Sequence, residues 1–381
     1  NLVLNSAEAP LTALTVYGKS TQDGTPSPEN PVPIESVGED GEITIYISGA
    51  NLLDIDHINF NPSESTGLTV QLLDDGTIQV SGTPVDAYSK ICSTTLSLPA
   101  GTYFISGGEN ADGKLYAQIA IKLGDTTVYY INTSFTITGE ENEIRFLVQT
   151  GRGLSYVDDY KIKPMLNIGT TALPFEPYKQ PQSLIVSTPN GLPGIPVDSD
   201  GNYTDENGQQ WVCDEIDLAR GKYVQRVGTE TINGGYNLSE TPDAPGRFVQ
   251  YSIGFTNLYK DGRYESICNI ASWSRWGFDN THTNTNWLFA LSRNAYYISP
   301  PSESGIESAE ELNNLLNSLE FPVVFVGQLE TPIETDLPAE EIAAYKALHT
   351  YSPATTVSND AGVWMKVGYY GLTTIQKLEK E

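Results

Sequence analysis

The chain has 381 residues, and 48 Asp and Glu against 21 Lys and Arg give a formal net charge of -27; a field of that sign repels phosphate backbones, so nucleic acid is not an expected partner. Gly 34, Pro 23 and Tyr 22 are spread along the chain and charged residues make up 18%, which reads as predominantly β and, at about 150 residues per domain, as two or three domains. No apolar run approaches the roughly 20 residues that span a bilayer, so membrane insertion is not expected. The chain begins at Asn1 without an initiator Met, which marks it as processed or as a fragment of a longer protein. Cys92, Cys213 and Cys268 are odd in number and far apart. They match neither a metal-ligand spacing nor a disulfide framework and read as buried small hydrophobes.

Residues 1–49 alternate as strands do, through Leu11, Leu14 and Val16 and again through Glu42 to Ile47. Between them Pro26, Pro28, Pro31 and Pro33 lack amide donors, which restricts that stretch to extended or edge conformation. The string LTVYGKSTQDGTPSPENPVPIESVG here resembles the opening of minor structural proteins from the distal tail or baseplate of tailed phages and prophages of Gram-positive bacteria. Asn51-Leu52-Leu53-Asp54 resembles the lead-in to an inserted β-sandwich in that family. Lys163 to Gly169 and Leu173-Pro174-Phe175-Glu176-Pro177-Tyr178 resemble its exit, and Pro332 to Leu337 through Tyr351 looks like the late scaffold segment. The resemblance implies a location at the virion tail tip or baseplate, acting outside the cell at the host surface as a receptor-binding type of protein. Bacterial cell-surface carbohydrate and other tail subunits would be its partners. These are linker and scaffold strings and imply no active site.

Residues 50–178 carry nine strand candidates: Leu68 to Leu72, Thr77 to Ser81, Ser93 to Leu98, Gly101 to Ser106, Tyr116 to Leu123, Thr127 to Ile131, Ser134 to Thr138, Glu143 to Gln149 and Tyr160 to Met165. Turns separate them, as in a two-sheet sandwich of jelly-roll type. The family resemblance makes this lobe similar to carbohydrate-binding modules. Tyr103, Tyr116, Tyr129, Tyr130 and Tyr156 are candidates for stacking on sugar rings, and equally ordinary strand residues.

Residues 179–230 hold the clearest hairpin grammar, with Asp198-Ser199-Asp200-Gly201 and Asp205-Glu206-Asn207-Gly208 between short apolar runs. Asp198, Asp200, Asn202 and Asp205 invite a calcium reading. An EF-hand would need Gly at its sixth place and Glu at its twelfth, where this chain has Tyr203 and Gln209. No cofactor is therefore expected; an irregular calcium loop stays open as the alternative, without a recognised motif to support it, because acidic hairpin turns arise for local reasons alone.

Residues 231–328 concentrate three tryptophans in ASWSRWGFDNTHTNTNW. Aromatic side chains among Asn, Arg and His suit sugar recognition, because rings stack and planar polar groups pair with vicinal hydroxyls. Trp273, Arg275, Trp276, His282, Asn284 and Trp287 are the candidate glycan-binding residues; a single Trp among them is equally read as core, Trp273 and Trp287 above all. Ser304 to Leu312 leads into Leu315, Leu316 and Leu319 as a capped helix with an apolar stripe.

Residues 329–381 predict a second short helix between Pro338 and His349, with Ile342, Tyr345 and Leu348 on one face, and a strand from Gly362 to Tyr370. Leu372, Ile375 and Leu378 would start an amphipathic helix, and a homo-oligomer, a trimer, is the expected assembly.

The expected fold is mainly β: jelly-roll-like β-sandwich lobes, 50–178 and 231–328, inserted into a small β-rich scaffold of 1–49, 179–230 and 329–370, with two short helices and a tail of 371–381. A nucleophile elbow, a zinc-protease motif and a P-loop are missing, and His57, His282 and His349 fall in three regions. The expected function is non-enzymatic presentation of lobes for host glycan binding. A purely structural baseplate connector is the first alternative, and a glycan depolymerase, whose two carboxylates cannot be picked from 48, is the second.

Overall fold

The computed structural model describes residues 2–60, 67–108, 114–152, 157–241, 246–251, 266–273, 284–292 and 295–372. The fold is mainly β with two helices. Two sheets draw strands from both ends and the middle of the chain. One runs in the order Leu2–Asn5, Ala354–Asn359, Gly41–Gly49, Gln182–Thr188, all antiparallel. The other orders six strands as Ser266–Cys268, Val323–Asp336, Lys222–Ile232, Glu215–Asp217, Ala13–Tyr17, Trp364–Gly368. Period-two alternation builds the layer between them: Ile43, Ile45 and Ile47 are buried while Glu42, Thr44 and Tyr46 face away. They meet Leu14, Val16, Ile216 and Val357 in one core, onto which the helix Ala339–Ala347 lays Tyr345. Residues 1–49, 179–230 and 329–370 each contribute strands to both sheets.

The first lobe has its own core, in which Ile119, Phe146 and Val148 of one sheet meet Ile78, Val80, Tyr103, Ile105 and Phe135 of two others. The expected strands Leu68–Leu72 and Gly101–Ser106 occur with those limits. The expected strand from Tyr160 to Met165 is instead two, Val157–Ile162 and Met165–Ile168, in different sheets. Pro164 sits at the break, and a residue without an amide hydrogen cannot continue the ladder. A clasp closes the lobe where it joins the scaffold. Asn51 Nδ2 donates to the Glu176 carbonyl at 3.0 Å, and its Oδ1 accepts from the Leu53 and Leu166 amides at 3.0 and 3.2 Å. The Glu176 carboxylate, on a residue 3% exposed, accepts from the Ala50 and Asn51 amides.

The second lobe is less separate. Lys222–Ile232 and Val323–Asp336 pair on both sides of a register shift between Gln225 and Val227 and carry the chain from the scaffold into this lobe, so the sequence-derived limits 231 and 328 fall inside these two strands. A five-stranded sheet, in the order Ser239–Glu240, Phe248–Tyr251, Ala295–Ser299, Leu288–Ser292, Ser272–Trp273, completes it. Its core packs Phe248, Phe289, Tyr296 and Phe325 under the helix Ala309–Asn317. That helix starts with a capping box, Ser308 with Glu311, and buries Leu312 and Leu316. No helix among the described residues is long and apolar enough to cross a membrane.

Candidate functional site

Of the residues the sequence points to, Arg275, Trp276 and His282 lie outside the described residues, as do Asn280 and Tyr156. Trp273 is half-buried at the end of its strand and packs on the second-lobe core. Trp287 is 5% exposed within that core, so its ring has no face left for a sugar: the apolar interior that Phe248 and Phe289 build claims it. Asn284 directs Nδ2 to the carbonyls of Pro300 and Asn286 at 2.8 and 3.0 Å, which uses the amide for loop structure. In the first lobe Tyr103 is core, with its hydroxyl donating to the Pro99 carbonyl at 2.8 Å, and Tyr130 packs on Phe135. Tyr129 alone of the described candidates there is strongly exposed, at 55%. His57 pairs with Asp54 in the first lobe and His349 lies beside Tyr351 in the scaffold, so these two do not converge.

A different set of side chains does converge, on the scaffold. Tyr17 and Trp364 are register partners on neighbouring strands. Alternation sends Leu14, Val16 and Met365 into the core and turns Tyr17, Trp364 and Lys366 to the opposite face. The middle hairpin lies over that face. Its strand Tyr203–Thr204 pairs with Gln210–Cys213, bringing Tyr203 opposite Trp211. The hairpin holds this place because Ile195, Val197 and Val212 pack on Val227 and Val326 of the long strands. Its turn is shaped by Asp205, whose Oδ1 accepts from the Asn207 and Gln209 amides at 2.9 and 3.0 Å, and by Gly208 at φ +83°, a conformation that favours glycine. Asp205 Oδ2 then accepts from Trp211 Nε1 at 3.2 Å and orients the indole. Asp205, one of the residues that resemble a calcium loop, thus serves its own turn and the indole, and the described residues hold no group of three or more His, Cys, Asp or Glu placed to bind a metal.

The four rings form a continuous row. Tyr17 and Tyr203 have centroids 4.9 Å apart, Tyr203 stacks on Trp364 at 4.8 Å and 17°, and Trp211 meets Trp364 edge-on at 4.8 Å. Two ammonium groups flank it. Lys19 Nζ lies 5.3 Å from the Trp364 centroid and 6.0 Å from that of Trp211; Lys366 Nζ lies 5.0 Å from Tyr17 and 5.6 Å from Tyr203. Tyr17 is buried beneath the hairpin, while Tyr203, Trp211 and Trp364 are half-buried and Lys366 is exposed. Burial, and after it the Glu215 and Asp217 carboxylates, pushes the Tyr17 phenol up to about 12, and burial also raises Tyr203. Both hydroxyls therefore remain protonated near neutrality.

The carboxylates around the row are already engaged. Glu215 takes Arg226 Nη2 on one oxygen and Asn202 Nδ2 on the other, each at 2.9 Å. Asp217 accepts from the Arg220 amide at 3.0 Å and has its guanidinium 4.0 Å away. Among the described residues neither Lys19 nor Lys366 pairs with a carboxylate. Half-exposed rings offer a surface to the apolar C–H face of a pyranose, and the ammonium groups and phenols offer donors to its oxygens. A separate cavity of about 560 Å³ opens beside the clasp, lined by Leu173, Phe175, Lys179 and Pro353 among others; it is largely apolar, and its carboxylate, Glu176, belongs to the clasp.

Sequence reasoning missed this row because its members come from three separated stretches, around Tyr17, around Tyr203 and Trp211, and around Trp364. The available signal was a repeated one: Tyr17-Gly18-Lys19 and Trp364-Met365-Lys366 both place an aromatic residue two positions before a lysine, which a strand presents on one side. No family model, curated protein or solved structure matches the chain.

Proposed function

We propose that this chain is a non-enzymatic tail or baseplate protein of a tailed phage or prophage, which binds a host-surface glycan on the scaffold row Tyr17, Tyr203, Trp364 and Trp211. The observation that carries the reading is the row itself, four rings in mutual contact with three of them half-exposed, set on a sheet that both chain ends and the middle help to build. A platform fixed by register pairing loses little conformational freedom on binding, which favours affinity for a flexible polysaccharide. The tail-protein assignment rests on the resemblance of the linker and scaffold strings, and it makes the virion surface the site of action and an oligomer, a trimer, the working form. Binding of the full chain to wall polysaccharide from Gram-positive cells, measured by affinity electrophoresis, should fall at least about fivefold in Trp364→Ala, taking the about 1–3 kcal/mol that a ring contributes when a base stacks on it as the scale for a sugar. Undiminished binding in that variant would remove the row from the function.

The structural-connector reading draws on another observation. Leu123, Val128 and Tyr129, 46 to 57% exposed, crowd one hairpin whose second strand, Thr126–Tyr130, is a sheet edge. Unpaired edges with apolar side chains invite packing by a neighbouring subunit. A chain that binds no polysaccharide but assembles through this hairpin, as judged by solution mass of a Val128→Lys variant, would favour that reading.

A further inference from the structure

Resting on the glycan reading, we propose that the ligand of the aromatic row is an anionic glycan, whose acidic group is held by Lys19 and Lys366 while a sugar face lies on the exposed parts of Trp211 and Trp364. The chemistry that the site recognises is a carboxylate or phosphate carried on a polysaccharide repeat.

The inference starts from charge. The chain has 48 acidic against 21 basic residues, so an anion approaching at random meets repulsion. At physiological salt that repulsion is screened beyond about 8–10 Å, and what an anion meets at contact is decided by the nearest groups. Around the row those groups are of both signs: Glu206 is exposed and acts on Tyr203, while Lys19 and Lys366 present their charge at the rings. Glu215, Asp217 and Asp205 are engaged by Arg226 and Asn202, by Arg220, and by the turn amides with Trp211. Three other lysines are tied to acids: Lys163 to Asp75 at 2.7 Å, Lys222 to Asp336 at 2.8 Å, Lys179 to Glu176 at 3.8 Å. Lys163 and Lys179 also lie over single rings, whereas Lys19 and Lys366 each lie over two rings of the row and, among the described residues, pair with no carboxylate. A ring face steadies an ammonium group without neutralising it, so its N–H donors remain available.

Desolvation decides between ligand classes. A neutral sugar that covered the row would strip water from two ammonium groups and return only weak hydroxyl contacts. An anionic sugar replaces that water with charge-assisted bonds, which are about twice as strong as neutral ones. A cationic ligand would meet the two lysines directly.

The test uses the full chain, with polygalacturonate as the carboxylate probe, poly(glycerol phosphate) as the phosphate probe and dextran as the neutral one. Binding is measured at low salt and at about 0.3 M, where screening lengths differ roughly twofold. We expect one or both acidic polymers to bind at least tenfold more tightly than dextran, and to lose at least tenfold in affinity in Lys19→Gln/Lys366→Gln and at the higher salt. Lys19→Arg/Lys366→Arg should recover most of it. Which acidic polymer binds then assigns the acid group. Dextran binding as tight as the acidic polymers, or an unchanged affinity in the double Gln variant, would overturn the anionic assignment while leaving the glycan reading in place. Failure of all three polymers, and of wall polysaccharide, would sink both.

Discussion

Asp214 is the residue on which the scaffold should be most sensitive, and its replacement gives a sharp prediction. It is fully buried, at 0% exposure. The Lys222–Ile232 strand shifts register between Gln225 and Val227, and the amides there turn to Asp214 Oδ1, from Arg226 at 2.7 Å and from Val227 at 2.8 Å. The Tyr223 hydroxyl donates to Oδ2 at 2.5 Å. Asp214→Ala would leave two N–H groups and a hydroxyl without this acceptor, at about 1–3 kcal/mol each, so a loss of at least about 3 kcal/mol is expected. Asp214→Asn keeps an acceptor for both amides and removes the buried charge, and should cost far less. Burial raises the Asp214 carboxyl from 3.8 to about 6, against the lowering effect of its three donors and Arg226. A group with a raised folded pKa favours the folded state at low pH, and that contribution is lost as pH rises through about 6. At ~1.36 kcal/mol per unit it amounts to about 3 kcal/mol. The stability of wild type relative to Asp214→Asn should therefore climb as pH falls from about 7 to 4.5. Asp75, lowered chiefly by Lys163, and Glu141, lowered chiefly by the Thr138 amide, both titrate near 2 and leave this window undisturbed. Urea unfolding read by tryptophan fluorescence, with hydrogen exchange at Arg226 and Val227, checks both parts. An Ala variant within about 1 kcal/mol of wild type with those two amides still protected, or wild-type and Asn curves that run parallel in pH, would refute the reasoning.

The clasp offers a second perturbation: Glu176→Ala removes the acceptor for the Ala50 and Asn51 amides, and with about 2–4 kcal/mol of local support gone, limited proteolysis should cut faster near residues 50 and 176 while the scaffold core stays intact. Ser308→Ala breaks the capping box and should lower stability of the second lobe by about 1 kcal/mol in urea. Burial pushes the Cys92 and Cys268 thiols up to about 12 and raises Cys213 further; a thiol-specific reagent at mildly alkaline pH should therefore leave the native chain unlabelled and modify all three in urea. Rapid labelling of any one of them under native conditions would contradict its burial.

What the sequence made legible follows from range. Alternation marks Glu42 to Ile47 as strand, within the observed Gly41–Gly49, turn signals set Leu68–Leu72 and Gly101–Ser106 apart, and the cap and leucine spacing announce the helix Ala309–Asn317. All depend on neighbours within a few residues. Tyr160 to Met165 was misread as one strand because β-favouring composition outweighed Pro164, whose missing donor is what moves the chain between sheets. The tryptophan-rich stretch drew attention by local density, yet density does not say which way a ring faces, and Trp287 went to the core. The strings around Asn51 and Glu176 looked like linkers, and their partners lie in each other: one side chain satisfies the backbone of the other's segment.

The aromatic row has the same origin as the clasp, on a longer scale. Tyr17 and Trp364 become neighbours only when the first and last scaffold segments pair in register, and Trp211 reaches them only when the hairpin settles its apolar face on Val227 and Val326. A one-residue slip of the Trp364–Gly368 strand would send Trp364 and Lys366 into the core and bring Met365 to the surface. The burial of Leu14, Val16 and Met365 thus specifies the register, and the register assembles the row. Asp214 sits at the register shift between the Lys222–Ile232 and Val323–Asp336 strands, between the hairpin and this sheet, with Cys213 before it in the hairpin and Glu215 after it in the sheet. The same substitution that tests its buried bonds should then also loosen the row: in Asp214→Ala, hydrogen exchange across residues 194–213 should rise together with that at Arg226 and Val227. If the hairpin stayed protected while those two amides opened, the row would be held by its own ring contacts, and the strand register would not be what positions it.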